Sequence, residues 1–142
     1  MTTHSGLEMK ISAFNGSLSF EQGEIDRSMD RSRFLDSKIG RSARVELVNE
    51  PWRQYGIDPE GGIAGTVFFE GERLDRVFLS MAMPGNVETQ WTEASELARK
   101  AKHDEWLQNA LGKPPYIYSW GKVSSVYDPK GCASEIIVAY ES

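Results

Sequence analysis

The side chains that could do covalent or metal chemistry are few and scattered. The soft metal ligands are His4, His103 and Cys132. They show no CxxC, HxxxH or HExxH spacing, and no calcium-loop pattern appears, so neither a metal nor another cofactor is expected. Glu60-Gly61-Gly62-Ile63-Ala64-Gly65 is rich in glycine. It leads into a strand rather than a helix, so it lacks the row of free N–H groups that cradles a phosphate. No G-x-S-x-G elbow is present. Cys132 follows a turn glycine and precedes an apolar run. That is the setting of an inert residue at a strand start, and a nucleophilic role would require His103 to meet it in space. His103-Asp104 is the best acid–base pair. Neighbours on a helix point about 100° apart, however, so the two side chains do not touch directly. The plain account is a histidine packed beneath a strand. The functional one is a pocket between helix and sheet near His103, Trp106, Tyr118 and Trp120, able to take a small molecule or serve a small enzyme.

The elements that would position these residues are mostly strands. Asn15-Gly16 joins two alternating segments, about 9–14 and 17–21, and both residues tolerate positive φ, which predicts a hairpin. Residues 22–42 are polar. Ser32 could cap a short helix carrying Phe34, Leu35 and Ile39, with Gly40 as its left-handed stop. Residues 43–49 alternate, with Val45 and Leu47 inward, and Asp58-Pro59-Glu60-Gly61-Gly62 reads as a turn cluster. A second hairpin joins 63–69 to 74–83 through Gly71. Its second strand is apolar in both phases at Val77, Phe78 and Leu79, the pattern of a strand covered on both faces. After Pro84-Gly85-Asn86, residues 92–111 form the one convincing helix, closed by Gly112 and Pro114-Pro115. It carries two stripes, Ala94-Leu97-Ala98-Ala101 and His103-Trp106-Leu107-Ala110. Tyr116, Tyr118 and Trp120 alternate on a further strand that Val123 to Tyr127 continue. Asp128-Pro129-Lys130-Gly131 is a turn, and 132–140 is the last strand. The expected fold is α+β: a single, mainly antiparallel sheet of about six to seven strands, with one major helix (92–111) on one face. Regular βαβ alternation is absent, which argues against a Rossmann fold or a barrel.

The chain of 142 residues is the size of one domain, 1–142, with 1–8 expected as a frayed tail and Met9 as a conceivable alternative start. No run approaches the ~20 apolar residues of a membrane span, and no apolar signal segment opens the chain. The single cysteine fits a reducing compartment, so a cytoplasmic setting is expected. A net charge of −5 disfavours nucleic acid, whose phosphates need clustered Lys and Arg. The aromatic residues are numerous, and Tyr and Trp serve both as core fillers and as interface anchors. Glu50, Trp52, Tyr55, Asp58 and Glu60 combine acid and aromatic character in one segment. They are the candidate contacts for a partner protein, with the acids steering a basic one.

Three runs carry a resemblance: Asn49-Glu50-Pro51-Trp52, Arg99-Lys100-Ala101-Lys102-His103-Asp104-Glu105-Trp106-Leu107, and Trp120-Gly121-Lys122-Val123-Ser124-Ser125-Val126-Tyr127-Asp128. Together they look like small, uncharacterised bacterial proteins, some of which resemble the immunity partners of polymorphic or secreted toxins. The resemblance implies a bacterial, cytoplasmic, non-enzymatic binding protein of immunity or inhibitor type. It brings no catalytic motif and no site residues. The alternatives are the small-molecule pocket near His103 and a homodimer that buries the aromatic residues against a second copy.

Overall fold

The computed structural model describes residues 7–83 and 92–141. The chain opens with a meander of β1 (Lys10–Ile11), β2 (Leu18–Phe20) and β3 (Gly23–Ile25). Two short helices follow, α1 (Arg31–Asp36) and α2 (Lys38–Arg41). Then come β4 (Arg44–Asn49), β5 (Trp52–Glu60), β6 (Ile63–Glu70) and β7 (Arg73–Met81), helix α3 (Glu93–Leu111), and β8 (Tyr116–Tyr118), β9 (Gly121–Asp128) and β10 (Ala133–Tyr140). Seven strands make one antiparallel sheet in the order β4-β5-β6-β7-β10-β9-β8, and β1-β2-β3 form a second. The α+β class and the major helix stand as expected. The expected single sheet has an additional small partner made by the N-terminal strands.

The helix limits follow from caps. The Thr92 hydroxyl accepts from the Ser95 N–H at 3.1 Å, and the Ser95 hydroxyl accepts from the Thr92 N–H at 3.2 Å. At the other end Gly112 adopts φ +89°, a conformation costly for any residue with a Cβ. The buried stripe differs in part from expectation. Ala94, Leu97, Ala98 and Ala101 of the first stripe face solvent; His103 and Leu107 of the second are buried, joined by Glu96 and Arg99. The four buried residues are spaced three, four and four apart, which is one helix face. The short helices also differ. Asp30, not Ser32, caps α1, its side chain accepting from the Arg33 N–H at 2.7 Å. Gly40 lies inside α2, where a Cβ would stand 1.8 Å from the Phe34 carbonyl oxygen. It is required for close packing rather than for a left-handed stop.

Period-2 alternation divides the large sheet into two faces. One carries the register row Tyr55–Val67–Val77–Val138–Val123–Tyr116. All six of these residues are buried. Against this face lie α3 and α1, with Phe34 of α1 5.6 Å from the Tyr55 ring and 5.4 Å from the Phe69 ring. Completely burying side chains of this size stabilises by about 1.5–3 kcal/mol each. The meander is tied in by polar bonds. Trp120 Nε1 donates to the Ala13 carbonyl at 2.9 Å, and the Tyr140 hydroxyl donates to the Gly16 carbonyl at 2.8 Å. Leu7 packs on the core and the Glu8 N–H donates to Glu60, so residues 7 and 8 do not belong to a frayed tail. The rest of the expected tail, and the Pro84-Gly85-Asn86 break, lie outside the described residues.

The first hairpin is shorter than expected, pairing Lys10 with Ser19 and Ile11 with Leu18. Its turn depends on Gly16, which has φ +75° and would place a Cβ 2.5 Å from the Trp120 ring. Gly71 also has positive φ, +60°, but nothing lies within 4 Å of its would-be Cβ. Gly16→Val should therefore destabilise by about 3 kcal/mol through strain plus overpacking, and Gly71→Val by about 1 kcal/mol through strain alone. Urea unfolding of the two variants measures the difference. Equal effects would contradict the Trp120 contact.

Candidate protein-binding face

The second face of the large sheet carries the other phase of the same strands. Its rows are Gln54–Phe68–Arg76–Ala139–Lys122 and Gly56–Thr66–Phe78–Ile137–Ser124. Trp52 shares the phase of Gln54, and Leu47 pairs with Gln54 from β4. Phe68, Phe78, Ile137 and Trp52 are only half-buried, and Leu47 is exposed. The Phe68 and Phe78 rings meet at 4.7 Å with a 52° tilt, a tilted aromatic pair on the solvent side. All six residues of β4 are exposed, Val45 by 65%. The expectation that Val45 and Leu47 point into a core is corrected: β4 is the end strand and extends past the helices that cover β5 and β6.

Charges edge this patch in internally paired sets. Arg44 Nη1 lies 2.6 Å from Asp58 Oδ2, and that hydrogen bond raises the guanidinium pKa. Arg53 Nε donates to Glu50 Oε2 at 2.8 Å, and its pKa is likewise raised, chiefly by the Glu50 hydrogen bond. Glu46 bulges out of the β4–β5 register, lies across Gly56 and accepts from the Thr66 hydroxyl at 3.2 Å. The expected Glu50–Glu60 segment is thus strand β5 and the turn before it, not a loop, and alternation splits its side chains. Glu50 and Asp58 are exposed and Trp52 is half-buried on the open face. Tyr55 is 3% exposed, inside the core against Phe34 and Phe69. Glu60 is also buried, accepting from the Glu8 N–H at 2.7 Å and the Glu21 N–H at 3.1 Å, which fastens the N-terminal strands to the sheet. Tyr55 and Glu60 are therefore structural and cannot reach a partner. The sequence does not mark Leu47, Phe68, Phe78 and Ile137 as contacts; only for Phe78 is there a signal, the two-phase apolar pattern of β7.

The alternative pocket does not form as expected. His103 is completely buried, and its Nε2 accepts from the Met81 N–H at 3.0 Å. Its proton therefore sits on Nδ1, which has no partner among the described residues. Trp120 is buried in the turn between β8 and β9, stacked at 5.1 Å on Tyr118, and Trp106 packs at the β1 side of α3. These four residues line no common cavity. Asp104 accepts from Lys100 at 3.0 Å, and Cys132 stands in the β9–β10 turn with φ +50°. Among the described residues no three His, Cys, Asp or Glu side chains gather to hold a metal. No helix among them is long and apolar enough to cross a membrane.

One chain of the solved structure described as "Rhs1-CT in complex with cognate immunity protein RhsI1" has the same fold, with a TM-score of 0.59 at 15% identity. The match covers 94% of this chain and 87% of that one. No family model and no curated protein matches the sequence.

Burial, followed by the nearby Arg99 charge, lowers the His103 pKa from 6.5 to about 4, while Asp104 pulls weakly the other way. The folded protein thus holds this ring neutral where the unfolded chain would protonate it. The stability that this supplies is complete above pH 6.5 and is lost as pH falls to about 4, by about 3 kcal/mol. His103→Gln does not titrate. Wild-type stability measured against this variant by urea unfolding should drop by that amount between pH 7 and pH 4. A constant difference would contradict the assignment.

Proposed function

We propose that the protein is a non-enzymatic binding protein of immunity type, and that its partner, a toxin domain, seats on the open face of the large sheet. One observation carries the reading. β7 has the apolar pattern of a strand covered on both faces, yet the described helices cover one, leaving Phe68, Phe78, Ile137, Trp52 and Leu47 as an aromatic and aliphatic patch. Strands of three to nine residues, at about 3.3 Å per residue and about 4.8 Å apart, present about 800 Å², the area one partner contributes to a standard interface. The likeness in fold to a chain from a complex containing a cognate immunity protein supports the same reading. Trp52, Phe68 and Phe78 are the anchors, because rigid aromatic side chains supply most interface energy. Asp58 and Glu50 stand at the rim, where a chain of net charge −5 would speed association with a basic toxin. On this reading the protein would act in the bacterial cytoplasm, where such a toxin would otherwise do its damage.

The test co-expresses this chain with the products of its neighbouring genes, among which the reading expects a toxin domain. Co-expression should protect the host cell, and calorimetry should give a tight one-to-one complex. Phe78→Ser and Trp52→Ala should each weaken binding by about tenfold to a hundredfold. Asp58→Lys should slow association at low salt with little change in dissociation. No complex, no protection, or a homodimer burying this face would contradict the reading.

A further inference from the structure

At the far side of the sheet the strand ladder stops early. β8 pairs with β9 only from Tyr116↔Val123 to Tyr118↔Gly121. β9 continues to Asp128 with no strand beside it on that side among the described residues. The next residues in the β8 register are Pro115 and Pro114, which have no N–H to give a ladder and are exposed. A slot of about 430 Å³ opens there. One wall is the α3 face Lys100, Asp104, Leu107 and Gln108, and the other is β9 from Lys122 to Ser125. Because Val123 and Ser125 belong to the buried phase and Lys122 and Ser124 to the open phase, the slot exposes both phases of the strand edge.

We propose that this slot binds an extended acidic peptide segment by strand addition along β9. The backbone of the segment would continue the ladder that Pro114 and Pro115 interrupt, the arrangement in which main-chain bonds supply affinity and alternate side chains supply specificity. Side chains in one phase would pack against the exposed Pro114 and Pro115 and the stem of Lys100, so they are apolar. Those in the other phase would meet Lys122 and the exposed Ile117. Charge fixes the class of ligand. The lining holds Lys100, Lys122 and Asp104, and Lys100 already takes Asp104 at 3.0 Å. Lys122 has no ion-pair partner among the described residues, so the slot is locally positive on a chain of net charge −5. The occupant therefore alternates apolar residues with Asp or Glu. The slot lies at the opposite edge from β4, and its Lys122 and Ser124 stand in the same phase as the open face of the sheet.

Panning a phage-displayed library of random heptapeptides on the intact protein tests this. Enrichment of alternating apolar and acidic sequences is expected. A synthetic copy of the enriched heptapeptide should shift the amide resonances of Ser124, Ser125 and Val126. Lys122→Glu, an exposed change that should leave the melting temperature unaltered, should weaken its binding about tenfold or more. No enrichment over an empty support, shifts confined to other strands, or equal affinity for Lys122→Glu would each overturn the proposal.

Discussion

Both backbone polar groups of Met81 are taken by α3: its N–H by the His103 ring and its carbonyl by the Arg99 guanidinium. One turn earlier on the helix, Glu96 accepts from the Ser134 N–H at 2.9 Å, and the Ser134 hydroxyl donates to the Glu96 carbonyl at 2.5 Å. Arg99 and Glu96 also pair with each other at 3.3 Å. These bonds fasten the helix over β7 and β10, the central strands of the sheet. In a buried setting a lost partner costs about 1–3 kcal/mol or more, and in this set the His103 Nδ1 alone has none among the described residues. The helix therefore has one seat and one rotation. Leu107, buried below these polar residues, supplies the apolar part of the contact.

That seat decides what the rest of the surface can do. A single long helix and two short ones cover one side of a seven-stranded sheet, and the meander is tied to it at opposite strand ends, through Trp120 and Tyr140 at one and Glu60 at the other. No covering element remains for the other side among the described residues. The result is a flat, rigid, half-apolar face bounded by paired charges, with an exposed strand at one edge and an interrupted strand at the other. Rigidity suits binding, because little ordering entropy is lost when a partner docks on a sheet that is already fixed. Ion pairs such as Arg44–Asp58 contribute little to folding at this exposure. Their value is in orienting charge along the rim.

Much of this fold was legible from turn chemistry and caps. Asn15-Gly16, Gly71 and Asp128-Pro129 marked hairpins because few residues accept those backbone angles, and Thr92 and Gly112 bounded the helix. Strand β5 was not legible, because Gly56 and Pro59 read as breakers. The structure gives each a reason. Glu46 lies across Gly56, where a Cβ would stand 2.2 Å from its carboxylate. Pro59 falls where the β5–β6 register shifts, between Ile57 and Glu60, and beyond the last β4 partner, so its missing N–H removes no ladder bond. The buried face of α3 was legible only in part, at His103 and Leu107. Its first apolar stripe lies on the solvent side, while charged residues face inward to satisfy strand ends, a choice that hydrophobic periodicity cannot register. Of the expected contacts, Glu50, Trp52 and Asp58 stayed on the surface. Tyr55 and Glu60 went inside, because a strand sends neighbouring residues to opposite faces.

The central claim is that a toxin domain covers the bare side of the sheet. Hydroxyl-radical footprinting of the protein, alone and in complex with that domain, reads side-chain exposure directly. The account predicts that oxidation of Trp52, Phe68 and Phe78 falls sharply in the complex, while Leu97 on the outer face of α3 oxidises at its free rate. Protection of Leu97 with Phe68 and Phe78 unchanged would contradict it.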